Sequence, residues 1–335
     1  MKFYLAPLEG ITMPVFRNLV HEMFGEHIDK YFTPFIVPHS KKCMTPKERR
    51  EIDPVNNPGI NLVPQIMTVN AADYLNTEKK LMDFGYRELN LNFGCPSNTV
   101  SNKGRGSGFL KKPDDMDRFL DEIFSGTNCR ISIKTRLGFE HPDEFYRVLE
   151  VYNKYPIHEL IIHPRVKREM YGGNVHIDKF IYAVSNSTCD LSYNGDIDSV
   201  KSYRDMAGRI SENFREDIPE GEIFPSKVTS VMLGRGMVGN PALIREICGG
   251  RKLTYEEAGE FTERFRENYY SQFNDELATL SKLKEIWTFM HRIFPESPET
   301  KKAYKKILKS RRISDYESAA AELFAAAGKG DCCER

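Results

Sequence analysis

The chain has 335 residues, more than one small core requires and enough for a large domain followed by a small one. Its 40% hydrophobic and 11% aromatic content is that of a folded globular protein, and no apolar run approaches the ~20 residues of a membrane span. Forty-eight basic residues balance 48 acidic ones, which excludes a uniformly basic nucleic-acid coat while allowing local basic surfaces.

Seven cysteines without regular spacing argue against a disulfide framework, and the absence of CxxC and HxxxH patterns argues against a metal site. The N-terminus meets Pro7 and Glu9 too early for a signal peptide, so the expected location is cytoplasmic.

Short apolar, β-branched runs recur at 3–8, 30–36, 61–67, 88–93, 130–136, 159–164, 190–195 and 230–235. Stretches such as 71–84 and 114–123 leave room for crossover helices. Alternation of strand and helix without tight hairpin signals implies a parallel sheet. Eight such units fit an α/β (β/α)8 TIM barrel, whose usual size is about 250 residues. An open doubly wound sheet would carry a GxGxxG turn after its first strand, and none is present. The barrel is expected over 1–245.

Cys248-Gly249-Gly250 marks a break, after which Phe261, Phe265, Tyr269, Phe273, Leu277 and Leu280 recur at helical spacing. Thr254 with Glu257, and Ser314 with Glu317, have capping-box spacing. A small all-helical C-terminal domain is expected over 250–327, with a frayed tail at 328–335.

Barrels of this kind place their chemistry at the C-terminal ends of the strands. Those ends read Pro7-Leu8-Glu9-Gly10, Gln65, Asn92-Phe93-Gly94-Cys95-Pro96, Lys134-Thr135-Arg136, His163-Pro164-Arg165, Asn194-Gly195-Asp196 and Gly234-Arg235-Gly236. Strands that only filled a core would end in Val, Ile or Leu.

Gly234-Arg235-Gly236, ahead of a helix start at Asn240-Pro241-Ala242, sits where barrels often hold a phosphate. With no Walker or Rossmann fingerprint, that points to a mononucleotide-type cofactor. Lys134 is costly to bury without an anion; a reduced flavin, negative near N1, would answer it, and so would a barrel carboxylate such as Glu9. A single histidine such as His163 is often a hydrogen-bonded fixture. Cys95, framed by Gly94 and Pro96 beside Gly104, Gly106 and Gly108, reads as a thiol able to act as a general acid, whereas Cys129 and Cys189 read as inert buried cysteines.

At these residues the sequence resembles the tRNA-dihydrouridine synthases, a bacterial-type, FMN-dependent family. Ala6-Pro7-Leu8-Glu9-Gly10-Ile11-Thr12 with Phe16-Arg17 is similar to the family's opening strand. Leu91-Asn92-Phe93-Gly94-Cys95-Pro96-Ser97, running on to Gly104-Arg105-Gly106-Ser107-Gly108, is similar to its catalytic signature. The motifs at Lys134, His163, Asn194 and Gly234 follow in the family's order.

The resemblance implies FMN bound by Pro7, Leu8, Glu9, Gln65, Lys134, His163, Asn194, Gly195, Asp196, Gly234 and Arg235, with NADPH or NADH as the transient reductant. It implies Cys95 as the proton donor to C5 of uracil, hydride delivery from the flavin to C6, and Asn92 as a contact to the target base. The chain departs from the family's usual residues at Pro164 and Thr68, and after Tyr171.

Independent of that resemblance, Lys103, Arg105, Lys111 and Lys112 occupy the loop after the fourth strand with no acid, and Arg165, Lys167 and Arg168 lie after the sixth. Residues 301–312 hold seven bases and no acid. These describe a one-sided surface for phosphates. Arg136, Arg165, Lys103 and Arg105 are therefore assigned with Asn92 to substrate, the partner is expected to be tRNA, and the chain is expected to be monomeric. The competing reading is an FMN-barrel oxidoreductase acting on a small molecule of the dihydroorotate or enoate type, which leaves the basic helical segment without a use.

Overall fold

The computed structural model describes residues 1–38 and 43–328. Nine short strands form one sheet: β1 (Lys2–Leu5), β2 (Lys30–Phe32), β3 (Leu62–Val63), β4 (Gln65–Ile66), β5 (Glu88–Phe93), β6 (Arg130–Gly138), β7 (Glu159–Val166), β8 (Asp190–Tyr193) and β9 (Val228–Leu233). Every pairing is parallel, in the order β3-β2-β1-β9-β8-β7-β6-β5-β4.

The two edges of this sheet are halves of one chain stretch. Pro64 has no N–H to give and splits the expected strand at 61–67 into β3 and β4. The first half pairs with β2 and the second with β5, while Ile36 bridges in parallel to Ile66. The sheet thereby closes on itself as the expected eight-unit barrel.

Period-2 alternation sends every second side chain inward. Tyr4, Ala6, Phe32, Val63, Ile161 and Met232 form a buried cluster in the interior. Below it, at the N-terminal ends of the strands, lies a polar floor. Glu159 Oε1 accepts from Tyr4 Oη at 3.0 Å and from Ser230 Oγ at 2.7 Å, and Lys30 Nζ lies 2.6 Å from Glu88 Oε1. Glu159 Oε2 is buried without a hydrogen-bond partner, and burial pushes the Glu159 carboxyl above its ordinary range.

Two compact units divide the chain. The first holds Met1–Glu9, Ile28–Ile197 and Lys201–Leu233; the second holds Gly10–His27, Asp198–Val200 and the described residues from Gly234 on. Among the described residues no helix is long and apolar enough to cross a membrane.

The second unit has its own aromatic core: Phe16 packs edge-on against Phe261 and Phe265, and Trp287 donates to Tyr316 Oη at 3.0 Å. Thr254 and Glu257 form the expected capping box on helix Tyr255–Phe273, and Glu257, also gripped by Arg245 at 2.8 Å, is held down at about 2. The apolar stripe does not run through one helix. Asn274 takes a left-handed φ of 50° and a new helix, Glu276–Met290, starts after it, which leaves Phe273 and Leu277 exposed.

The box expected at Ser314 and Glu317 does not form, because helix Ile313–Gly328 has already begun one residue earlier. The N–H of Ile313 is answered instead by Glu276 Oε1 at 3.1 Å. The tail expected at 328–335 lies, beyond Gly328, outside the described residues.

Replacing a buried, half-satisfied carboxylate by its neutral isostere removes a desolvation cost. Glu159→Gln is expected to stabilise the protein by about 1 kcal/mol at pH 7 to 8. Because the folded carboxyl titrates above its unfolded value, wild-type stability from this group is complete below the unfolded value and is lost as pH rises through the folded one. The advantage of Glu159→Gln over wild type in urea unfolding should therefore shrink as pH falls toward 4; an advantage that grows on acidification would contradict this account of the floor.

Candidate active site

Strand β5 ends in the loop that carries Cys95, and side chains from its own last turn fix that loop. Asn92 Oδ1 accepts the backbone N–H of Gly94 at 3.1 Å and of Cys95 at 2.9 Å. From below, Ser107 donates both N–H and Oγ–H to the Cys95 carbonyl, at 3.1 and 2.8 Å. Gly106, with φ of 54°, passes so close that a Cβ there would lie 2.9 Å from the Cys95 carbonyl oxygen. The glycine-rich segment is thus a seat for the cysteine loop.

The amide of Asn92 is also part of a chain. Its Nδ2 donates to Gln65 Oε1 at 2.7 Å, Gln65 Nε2 donates to Asn90 Oδ1 at 2.7 Å, and Asn90 Nδ2 donates to Ser132 Oγ at 2.9 Å. Each amide orients the next.

Burial pushes the Cys95 thiol up, against smaller opposing effects from the Ser97 backbone, Arg136 and Lys134. It is a protonated thiol at neutral pH, with a proton to give.

Lys134 stands opposite Asn92 in the β5–β6 register and points into the upper barrel. Burial, reinforced by the neighbouring Arg136 charge, brings its ammonium down to about 7. Among the described residues it makes no hydrogen bond or ion pair. Glu9, the carboxylate that the sequence offered as its partner, is exposed and lies 3.1 Å from Lys47 instead.

The two arginines behave differently. Arg136 Nε donates to the Gly94 carbonyl at 3.0 Å and Nη1 to the Val166 carbonyl at 2.9 Å, tying the cysteine loop to the end of β7; burial lowers its pKa to about 10. Arg165 is fully buried and spends all five N–H donors. It grips both oxygens of Asp196 at 2.8 and 2.5 Å, the carbonyls of Gly172 and Gly173 at 3.0 and 2.6 Å, and His163 Nε2 at 3.2 Å. Arginine has no lone pair to share, so His163 Nε2 accepts and the ring proton of neutral His163 belongs on Nδ1.

Asn194 Nδ2 donates to the Met232 carbonyl at 2.8 Å, and a Cβ on Gly195 would lie 2.1 Å from Tyr193 Oη. Pro7 and Leu8 are half-buried at the end of β1. One network in the first unit therefore brings together Gln65, Asn92, the Cys95 loop, Arg136, His163, Arg165 and Asp196. Lys103, exposed, and Arg105, half-buried, lie on the loop beyond Cys95, and their side chains make no hydrogen bond or ion pair among the described residues.

Gly234 and Arg235 belong to the second unit. Gly234 caps a five-residue helix, Arg235–Gly239, so a helix starts directly after β9, with another, Leu243–Ile247, following the start expected at Asn240.

Residue type and spacing do not single out Tyr171. Its half-exposed ring has the Arg136 guanidinium 5.3 Å from its centroid and the His163 ring at 6.2 Å. Its only sequence signal was a place on the loop after β7.

Comparison with known proteins adds an independent line. The family model for dihydrouridine synthase matches residues 4–213. A probable tRNA-dihydrouridine synthase of Staphylococcus aureus (strain Mu50 / ATCC 700699) is 28% identical over 249 residues, 71% of this chain and 69% of that protein. The tRNA-dihydrouridine synthase B of Pasteurella multocida (strain Pm70) is 23% identical over 245 residues, 73% of this chain and 68% of its own length. Among solved structures, morphinone reductase covers 76% of this chain and 87% of its own at a TM-score of 0.48 and 11% identity, too loose a likeness to argue from. With the family model spanning β1 through β8 and the cysteine loop between them, the chain belongs to the dihydrouridine synthase family.

Proposed function

We propose that this protein reduces uridines of tRNA to 5,6-dihydrouridine, using FMN and NADPH or NADH. The observation that carries the reading is a protonated Cys95 thiol on the loop after β5 together with Lys134 on the neighbouring strand β6, an inward lysine that has no anionic partner among the described residues. An unanswered lysine beside a ladder of oriented amides fits a group with a negatively charged, hydrogen-bonding edge, which is what reduced FMN presents.

Lys134, Gln65, His163 and Asn194, with the backbone of Pro7 and Leu8, would hold it. When bound, reduced FMN supplies a hydride to C6 of uracil, and NADPH or NADH replaces the two electrons. Cys95 completes the addition by giving its S–H proton to C5, so that hydride and proton together saturate the C5–C6 bond. Asn92 fixes the thiol, because its Oδ1 holds both N–H groups that shape the loop. Arg136 and Arg165 are braces in this mechanism, positioning the loops after β5, β7 and β8. The target base must leave its stack to reach a thiol at the barrel mouth.

The helical unit supplies a surface for the rest of the RNA. On helix Pro298–Lys309, Lys301 pairs with Glu296 and Lys306 with Glu322. Lys302, Lys305 and Lys309, spaced along one helix face, are exposed and have no ion pair among the described residues.

Three outcomes test this. Cys95→Ala is expected to retain flavin and tRNA while slowing dihydrouridine formation by about 10²–10⁴, the worth of a positioned acid, measured by nucleoside analysis of tRNA that lacks the modification; a wild-type protein that forms none would end the proposal. Flavin affinity should weaken above pH 7, by up to about tenfold per pH unit, as Lys134 loses the proton that an anionic ligand favours. In fluorescence titrations Lys134→Met should bind more weakly and lose that dependence. Finally, converting Lys302, Lys305 and Lys309 together to Ala should reduce the slope of log Kd for tRNA against log salt by about 2 to 3; an unchanged slope would remove this helix from the RNA surface.

A further inference from the structure

Beside the Cys95 loop, the loops after β5, β6 and β7 line an open cavity of about 470 Å³, with Asn98, Phe139, Glu140, Lys167, Arg168 and Met170 in its walls. Its volume is in the ~300–1,000 Å³ range of small-ligand sites. The reduction described above needs only one base at Cys95 and leaves this space unused.

The walls are preformed. The carboxylate of Glu144 accepts the backbone N–H groups of Phe139 at 2.6 Å and of Glu140 and His141 at 3.1 Å, which fixes the aromatic residue. The N–H groups of Lys167 and Arg168 bond to the carbonyls of Gly138 and Phe139, each at 3.0 Å, locking the loop after β7 to the loop after β6. Lys167 Nζ then reaches Asn98 Oδ1 at 2.7 Å, joining both to the short helix three residues beyond Cys95.

The chemistry of the walls is one-sided. The Phe139 ring has Lys111 Nζ 3.6 Å and Lys167 Nζ 5.0 Å from its centroid, and neither lysine has a carboxylate partner among the described residues. Glu140, the acid among the lining residues, lies 3.7 Å from Arg168. Met170 holds a left-handed φ of 54°, rare for a residue with a flexible side chain, and presents an exposed thioether to the cavity next to Tyr171.

We propose that this cavity is a subsite for the nucleotide adjacent to the target uridine in the RNA strand. Lys111, Lys167 and Arg168 take its phosphate and Met170 with Phe139 takes the face of its base. Cations set around an aromatic and an apolar wall match a nucleotide's phosphate and π-face. Holding the neighbouring residue would keep the target uridine unstacked and aimed at Cys95. The inference rests on the tRNA reading and deepens it.

The test uses the full-length, flavin-loaded enzyme and tRNA lacking dihydrouridine. Lys111→Ala/Lys167→Ala is expected to raise KM for tRNA about tenfold, a larger change than in kcat, and to lower the salt slope of tRNA binding by about 1 to 2. Met170→Gly, which suits the left-handed backbone, is expected to raise KM several-fold with the salt slope intact. Wild-type KM and salt slope in both variants, with the wild type active on tRNA, would overturn the subsite alone. A wild type that makes no dihydrouridine would overturn the tRNA reading and the subsite with it.

Discussion

Three cationic side chains, Lys134, Arg136 and Arg165, point into the upper half of one closed parallel barrel, and taking such charges out of water costs several kcal/mol each unless they are answered. How each is answered organises the site. Arg165 is saturated by Asp196, two glycine carbonyls and His163, while Arg136 spends two of its five N–H donors on the carbonyls of Gly94 and Val166. Lys134 alone of the three has no side-chain hydrogen bond or ion pair among the described residues.

The same barrel treats its two ends oppositely. At the floor, Glu159 and Glu88 are met by Tyr4, Ser230 and Lys30, polar groups that face one another. At the rim, amides from Gln65, Asn90 and Asn92 are aligned in sequence and end at the Cys95 loop. The floor accepts a cost in stability through the unpartnered Glu159 oxygen, while the rim spends its hydrogen bonds on holding a thiol in place.

Charge balance over the whole chain hides a strong local pattern. Some cations on the described surface are cancelled nearby, as Arg147 is by Asp114 and Glu150, or Lys201 by Asp205. Lys302, Lys305 and Lys309 on one helix, and Lys111 and Lys167 around Phe139, have no carboxylate partner among the described residues. Net charge sets solubility, whereas a polyanion responds to where the cancellation fails.

Much of this protein was legible in its sequence because it is locally encoded. Strand positions follow from short apolar or alternating runs, so β5, with Leu89, Leu91 and Phe93 alternating with asparagines, falls at Glu88–Phe93 as expected, and the Thr254–Glu257 box forms because its two members are neighbours on one turn. The Cys95 loop was readable for the same reason, since Gly94, Pro96 and Asn92 shape it from within three residues. What only the tertiary structure decided are pairings between distant segments. Asp196 meets Arg165 across 31 residues and Gly94 meets Arg136 across 42, tying together loops that the sequence leaves separate. Glu9 goes to Lys47 and leaves Lys134 unanswered, Glu276 takes the N–H of Ile313 in place of a local cap, and Tyr171 reaches His163 and Arg136 through the course of its loop. Residue type and spacing specify a strand and which way its side chains point; which buried charge meets which partner depends on barrel closure, which places residues far apart in the chain on one rim.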